Sequence, residues 1–431
     1  MLIAKAKFSV AISKQKAGTV VEVTAKDNAG NVSPATKVTV VDATAPTAPK
    51  VNGITDLDEV LTGSTEASTV VIAKVAGKEI GRASADSKGK FSMVIKKQTA
   101  GTTIEVTSTD KAGNASALTK VKVTDKRPPL EKLVGKTRYQ TAVQVSQAGW
   151  SKADTVLLVN GAAIADGLTA TPLASAEDAP ILLTRKDKLP SETAQEIQRL
   201  KAKKVILIGG TGVISDDVKK ALTSKGLNVT RIGGKSRYDT SLLIAQQLDK
   251  LVDVHTTYLA YGFGEPDALS IAAQSGQTKQ PIILTEKKSV PKKTYQWLKA
   301  EALKSSYFIG GTTVVGPEII NEMNKITSQN VLNNRLSGKT RQVTNAQVIQ
   351  AFYKNSEMQS IMVAHSDTVK LVDALSAGPL AAKWKVPVLL VSSKVDSSQS
   401  KVISNYKTNQ VHQIGGGIDD KVLNQVVDLM N

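Results

Sequence analysis

The chain has 431 residues, 41% of them hydrophobic, which is enough to bury several cores and suggests three or four domains. Its 56 Lys and Arg against 38 Asp and Glu give a formal charge of +18, spread along the sequence, which favours a polyanionic partner such as nucleic acid, an anionic glycan or an acidic membrane face. No apolar run reaches the length of a membrane span and cysteine is absent, so a spanning helix and a disulfide framework are excluded, while the redox compartment stays open.

The first 125 residues contain an internal repeat. "KFSVAISKQKAGTVVEVTAKDNAGNVSPATKVTVVD" (7–42) aligns without a gap on "KFSMVIKKQTAGTTIEVTSTDKAGNASALTKVKVTD" (90–125), at an offset of 83. The second copy has a full upstream half from about Pro46; the first has six preceding residues. Residues 1–43 are therefore expected to be the C-terminal half of a β-domain and residues 46–126 a complete one. The expected parent is a longer protein, with the missing half and any secretion signal upstream. "TIEVTSTD" and "LTKVKVTD" alternate β-branched with polar residues, and "DKAGN" between them supplies the Gly and Asn of a tight hairpin turn. Several such strands in about 80 residues make a small β-sandwich. Asp27 and Asp110 could bind calcium, but they suit an Asx-type turn better. The prolines of "DATAPTAP" and "DKRPPL" mark semi-rigid linkers on either side. "VEVTAKDNAGNVSPATKVTVVDATAPTAPKV" resembles the bacterial Ig-like modules that form stalks on surface proteins.

From Leu130 the texture changes to short apolar runs separated by helical patterns, the signature of buried parallel strands covered by helices. Three units align, opened by Gly135, Gly234 and Gly338 in the motif Gly-Lys-Thr/Ser-x-Arg. In each, a strand ("TVLLVNG", "TTYLAYG", "SIMVAHS") leads to a helix near Asp166, Asp267 or Asp373. A second strand ("PILLT", "PIILT", "PVLLV") starts 14 residues after that Asp. A strand ending in Gly-Gly follows, its first glycine 29, 29 and 28 residues after the proline. The units are expected at 130–230, 231–332 and 333–431, as α/β modules with parallel sheets.

Several chemistries fail on these landmarks. A phosphate-binding loop needs a glycine five residues before its Gly-Lys-Thr/Ser, and Leu130, Val229 and Asn333 stand there. The stretch around Gly209 lacks the third glycine of a dinucleotide fingerprint, and Gly316 arrives at the wrong spacing. These glycines read as sharp strand exits, with Ser215 capping the next helix. His255, His365 and His412 occupy three different landmark positions, so no recurrent base stands beside a nucleophile, and no metal ligand set or cofactor is expected. With 4% aromatics, few stacking platforms exist for single-stranded nucleic acid, so no nucleic-acid partner is expected.

Binding residues are more legible. Asp166, Asp267 and Asp373 recur at helix starts, where a carboxylate caps the free N–H groups; the same loops are where open α/β sheets place ligands. Lys136, Lys235 and Lys339, with Arg138, Arg237 and Arg341 two positions later, sit on a glycine-led loop before a helix, where anions bind. An Arg bridging one unit to an Asp of the next is the competing role, and the two are compatible.

"GKTRYQTA", "ADGLTATPLA", "APILLT" and "VILIGGTGVIS", each repeated in order, resemble the type 2 cell-wall-binding repeat of clostridial and bacillar surface proteins. The resemblance covers residues 130–431 and implies three flavodoxin-like or toprim-like modules in a pseudo-threefold cluster. It implies noncovalent, S-layer-like anchoring of a secreted protein to the Gram-positive wall through an anionic polysaccharide or teichoic-type polymer, without catalysis or membrane insertion. It also admits an alternative, the targeting part of a wall hydrolase whose catalytic domain lies outside this chain. The polymer-binding set is then Lys136, Arg138, Tyr139, Lys235, Arg237, Tyr238, Lys339 and Arg341, with Asp166, Asp267 and Asp373. "PILLT" and its equivalents are expected in the packing between modules. The third unit departs from the pattern, with Gln342 in place of Tyr139 and Tyr238 and two extra residues between Ser366 and Asp373. Its ligand site is expected to be degenerate.

Overall fold

Alternating β-branched and polar residues dictate a strand with one face in a core and the other in water, and the N-terminal region follows that rule. The computed structural model describes residues 7–353, 358–367 and 370–430. The first six residues of the expected 1–43 segment and the last of the 333–431 segment lie outside the described residues. The chain divides into two compact units, Met1–Lys126 and Arg127–Asn431.

In the first unit, β1 (Val20–Val23) and β2 (Thr36–Thr39) pair as an antiparallel hairpin. The complete module holds β3 (Lys50–Val51), β4 (Val60–Ser64), β5 (Val70–Val75), β6 (Lys78–Ser84), β7 (Lys90–Val94), β8 (Thr103–Thr109) and β9 (Thr119–Lys122). Two antiparallel sheets, ordered β3-β4-β7 and β6-β5-β8-β9, enclose Leu61, Val71, Phe91, Met93, Ile104 and Val106. The internal repeat acquires a physical meaning here. Phe91, Met93 and Ile95 are 4% exposed or less, whereas their counterparts Phe8, Val10 and Ile12 are 75%, 70% and 62% exposed. Among the described residues the β1-β2 hairpin is a two-stranded sheet with no second sheet to cover them. At the turns, the Asp110 carboxylate accepts the Ala112 and Asn114 backbone N–H groups at 2.8 and 2.9 Å and the Asn114 amide at 2.9 Å; Asp27 does the same with Asn31. The Asn side-chain bonds are the chief cause holding both carboxyls below their ordinary range.

The second unit alternates strand and helix. Its first module contains β10 (Leu130–Leu133), α1 (Arg138–Gly149), β11 (Thr155–Asn160), a 3₁₀ segment (Ile164–Thr169), α2 (Thr171–Ala176), β12 (Ile181–Thr184), α3 (Ser191–Arg199), β13 (Lys204–Ile208) and α4 (Asp216–Thr223). The second adds β14 (Asn228–Ile232), α5 (Arg237–Asp249), β15 (Thr256–Tyr261), α6 (Glu265–Thr278), β16 (Ile282–Thr285), α7 (Lys292–Ala300), β17 (Ser305–Ile309) and α8 (Pro317–Asn324). The third adds β18 (Arg335–Leu336), α9 (Arg341–Phe352), β19 (Ser360–His365), α10 (Leu371–Trp384), β20 (Val388–Val391), α11 (Ser397–Ile403), β21 (Gln410–Ile414) and α12 (Asp420–Leu429).

Three parallel sheets result, ordered β12-β11-β13-β14, β16-β15-β17-β18 and β10-β21-β19-β20. Repeat and sheet are out of phase. The strand that opens each repeat completes the sheet of the preceding module: β14 joins β13, β18 joins β17, and β10 returns to β21. The boundary read from the repeats at 230/231 therefore falls inside β14. A parallel partner needs a crossover connection, and the next repeat's opening strand is the segment placed to supply one. This cyclic exchange closes the three modules on one another.

Period-2 alternation also explains the "PILLT" strands. Ile282 and Leu284 enter a core continuous across all three modules, while Ile283 faces its own module's core. Val388 and Leu390 repeat the first role, Leu389 and Val391 the second. The shared core also takes Leu173 of α2, Leu269 of α6 and Leu375 of α10. These helices approach so closely that a Cβ on Gly276 would lie 2.6 Å from Ser175 Oγ and 2.7 Å from Ala382 Cβ. No side chain fits there.

Candidate functional site

The Gly-Lys-Thr/Ser-x-Arg motif is built as a capped helix start. Thr137, Ser236 and Thr340 are the N-caps of α1, α5 and α9, their hydroxyls accepting the Gln140, Asp239 and Val343 N–H groups. The leading glycine is tied down as well: Gly135, Gly234 and Gly338 donate their N–H to the Thr141, Thr240 and Thr344 hydroxyls at 3.1, 3.0 and 3.1 Å. Those threonines were not singled out from the sequence, yet their signal was present, since each stands six residues after its glycine in all three copies.

The Arg and the Lys of the motif do different work. Arg138 donates to the Gly161 carbonyl, Arg237 to Gly262 at 2.7 Å and Arg341 to Ser366 at 2.6 Å. Each acceptor is the residue just past the end of β11, β15 or β19, so the guanidinium fastens the loop to the C-terminal edge of its own sheet. Lys136, Lys235 and Lys339 are exposed, and their ammonium groups form no ion pair among the described residues.

The three aspartates do not cap. Each is the third residue of its helical segment, with Ala163, Gly264 and Lys370 at the cap positions and no side-chain capping bond. Each carboxylate lies instead against the first glycine of the Gly-Gly exit: a Cβ on Gly209 or Gly310 would stand 3.0 Å from Oδ2 of Asp166 or Asp267, and on Gly415 closer still to Asp373. Those glycines have φ of 111°, 124° and 75°, a region that disfavours a side chain even without the clash. Ser215 shows the same shortfall. It occupies the N-cap position of α4, but its hydroxyl is buried and makes no capping bond.

Burial pushes the Asp267 and Asp373 carboxyls up to about 6, against the opposing pull of the Thr344 hydroxyl and Arg341 on the first, and of Arg138 and Lys370 on the second. Arg341 and Arg138 belong to the next repeat around the ring. They act on the aspartates through their field while their hydrogen bonds go to their own strands. Both groups favour the protonated form in the folded chain. Their contribution to stability is therefore full below about pH 4 and is lost as pH rises through about 6, by up to about 3 kcal/mol per group. Denaturant titrations at pH 4 to 7 should show an Asp267→Asn/Asp373→Asn variant gaining on the parent chain as pH rises; parallel curves would contradict this.

Around the basic loops the modules differ. In the first, Arg185 lies over the Tyr139 ring at 5.5 Å. In the second, Phe263 stands beside both Tyr238 and Tyr261. In the third, Gln342 donates to the Ser366 hydroxyl at 2.8 Å, and a cleft of about 550 Å³ opens among Arg341, Gln342, His365, Ser392, Ser393 and Asp419. Burial, and then Lys370, keep His365 below its ordinary range. The third site has thus lost the aromatic ring of the other two but retains a concave, polar surface at its strand ends.

The family described as Cell wall binding domain 2 (CWB2) matches three successive segments, residues 132–219, 231–320 and 335–422. The chain belongs to this family. Residues 3–42 and 45–125 match the family described as Bacterial Ig domain. Among solved structures, Cwp6 from Clostridium difficile is 33% identical with a TM-score of 0.69, covering 89% of this chain and 68% of that one. Cwp8 from the same organism is 31% identical with a TM-score of 0.65, covering 78% and 60%. Among curated relatives from Bacillus subtilis, N-acetylmuramoyl-L-alanine amidase LytC is 29% identical over 300 residues and Amidase enhancer 30% identical over 304. Both alignments cover 69% of this chain, but the chain spans 58% and 40% of the length of those relatives. The CWB2 modules are wall-binding modules and imply a location at the cell surface. No helix among the described residues is long and apolar enough to cross a membrane.

Proposed function

We propose that the three CWB2 modules anchor a secreted protein noncovalently to the Gram-positive wall by binding an anionic secondary polymer, with the Ig-like modules as spacers. The observation that carries this reading is the threefold recurrence of one device, a capped helix start that fixes an Arg to the strand end and leaves a Lys exposed two residues before it. One exposed charge contact contributes about 0 to 1 kcal/mol, so a single loop holds a polymer weakly. Three loops on one body act on the same polymer, and effective concentration raises the avidity by roughly 10² to 10⁴. The chain acts by binding and not by catalysis. Its similarity to LytC supports a second reading, in which the same modules target a hydrolytic domain carried elsewhere in the parent protein.

The test is retention of the purified chain on isolated walls before and after removal of their secondary polymers. Strong retention that falls on stripping, and falls with added salt as screening requires, is the expected result. Equal retention on stripped walls defeats the proposal. Release of soluble wall fragments by the chain alone would overturn the non-catalytic reading.

A further inference from the structure

The second CWB2 module carries an aromatic surface that the other two lack. β15 ends in Tyr261, and Gly262 and Phe263 follow; the corresponding positions are Asn160 and Ala162 in the first module and His365 and Asp367 in the third. Phe263 is 57% exposed. Its ring centroid is 5.7 Å from that of Tyr261 and 6.5 Å from that of Tyr238, the latter pair nearly edge-to-face at 70°. The Arg237 guanidinium carbon stands 4.0 Å from the Phe263 centroid, and Lys287 Nζ lies 5.8 Å from the Tyr261 centroid. In a chain with 4% aromatics, three rings at one exposed corner are not what a core requires.

The geometry supports the platform from behind. Gly262 admits the Tyr238 ring so closely that a Cβ would stand 2.6 Å from its Cε1, and Arg237, held by the Gly262 carbonyl, lies against Phe263. A water-exposed phenyl group supported in this way is pre-ordered, so a ligand meets it without an added ordering cost. The chemistry that fits is amphipathic: an apolar face to lie on the rings, with polar or anionic substituents at its edge to meet Lys235 and Lys287. A pyranose ring with an acidic substituent has both.

We propose that Tyr261 and Phe263 form a stacking subsite for a sugar ring of the wall polymer, so that the second module recognises the apolar face of the saccharide while the lysines recognise its charge. This rests on the anchoring reading above. It divides the work among the modules: charge recognition is common to all three, ring recognition is local to one.

The experiment measures retention of the full chain on isolated walls across a range of NaCl concentrations, for the parent, Phe263→Ala, Phe263→Tyr and Lys235→Gln. Phe263→Ala is expected to lower affinity by roughly three- to tenfold at every salt concentration, leaving the salt slope unchanged. Phe263→Tyr should restore it, and Lys235→Gln should flatten the slope. Phe263 is exposed, so the thermal midpoint of Phe263→Ala should match the parent's. Undiminished retention of Phe263→Ala overturns the platform and leaves the anchoring reading standing. Failure of the parent chain to distinguish polymer-bearing from stripped walls sinks both. A parent dimer that Phe263→Ala dissociates in sedimentation would assign the surface to self-association and overturn the proposal.

Discussion

A chain beginning at Val134, and so lacking β10, should lose about 3 to 5 kcal/mol of stability in its third module. β10 pairs with β21 over four residues, Leu130 to Leu133 against Val411 to Ile414. The Val411 N–H donates to the Pro129 carbonyl at 2.9 Å and the Gly415 N–H to the Leu133 carbonyl at 3.0 Å. Leu133 is buried, and Glu131 lies 3.0 Å from the buried His412 ring. Removing the strand uncovers an edge whose amides then need water, returns an apolar side chain to solvent and strips His412 of its carboxylate. Hydrogen exchange is the direct measurement: the Val411 and Gly415 amides, which lose the Pro129 and Leu133 carbonyls, should exchange far faster in the shortened chain, while those of β13 and β17 stay protected. Leu133→Ala is the milder version, expected to cost about 2 to 5 kcal/mol. Unchanged protection of β21 would show that the ring closes without its first strand.

Replacing Arg138, Arg237 and Arg341 together by Ala should lower both thermal stability and wall retention, whereas replacing Lys136, Lys235 and Lys339 by Gln should lower retention alone. Each Arg makes a charged hydrogen bond to a strand-end carbonyl, worth about 1.5 to 3 kcal/mol. Its loss also leaves Gly161, Gly262 or Ser366 short of a donor. The three Lys ammonium groups form no ion pair among the described residues, so their removal costs the fold little. Retention measured against salt separates the two sets: the Lys variant should show a shallower dependence at an unchanged melting temperature. Equal retention of parent and Lys variant would move the ligand's charge contacts elsewhere.

The two sets looked alike in the sequence because a Lys and an Arg two residues apart on a basic loop carry the same charge. Their separation depends on side-chain direction. Arg occupies the first helical position, from which it reaches the strand end, while Lys precedes the cap and points to water. The aspartates were misread for a related reason. Their spacing to "PILLT" and to Gly-Gly was visible, but a capping role requires the residue before the helix, and these helical segments begin two residues ahead of the Asp. What the carboxylate touches, a glycine 28 or 29 residues after the proline of "PILLT" and its equivalents, is set by the sheet. Tyr261 and Phe263 escaped notice because the repeats do not share them.

From residues alone came the number of units, the alternation that makes one N-terminal module a two-sheet sandwich, the parallel strands of the others, and the glycines at their sharp exits. These follow from period, spacing and turn chemistry, which act over a few residues. Only the tertiary structure decided that each sheet borrows its last strand from the next repeat and that β10 closes the ring on β21. It also decided that alternate residues of "PIILT" and "PVLLV" serve a shared core and a local one. Pairing across most of the unit's length depends on which edge lies free once the modules meet, and no local pattern in the chain encodes that.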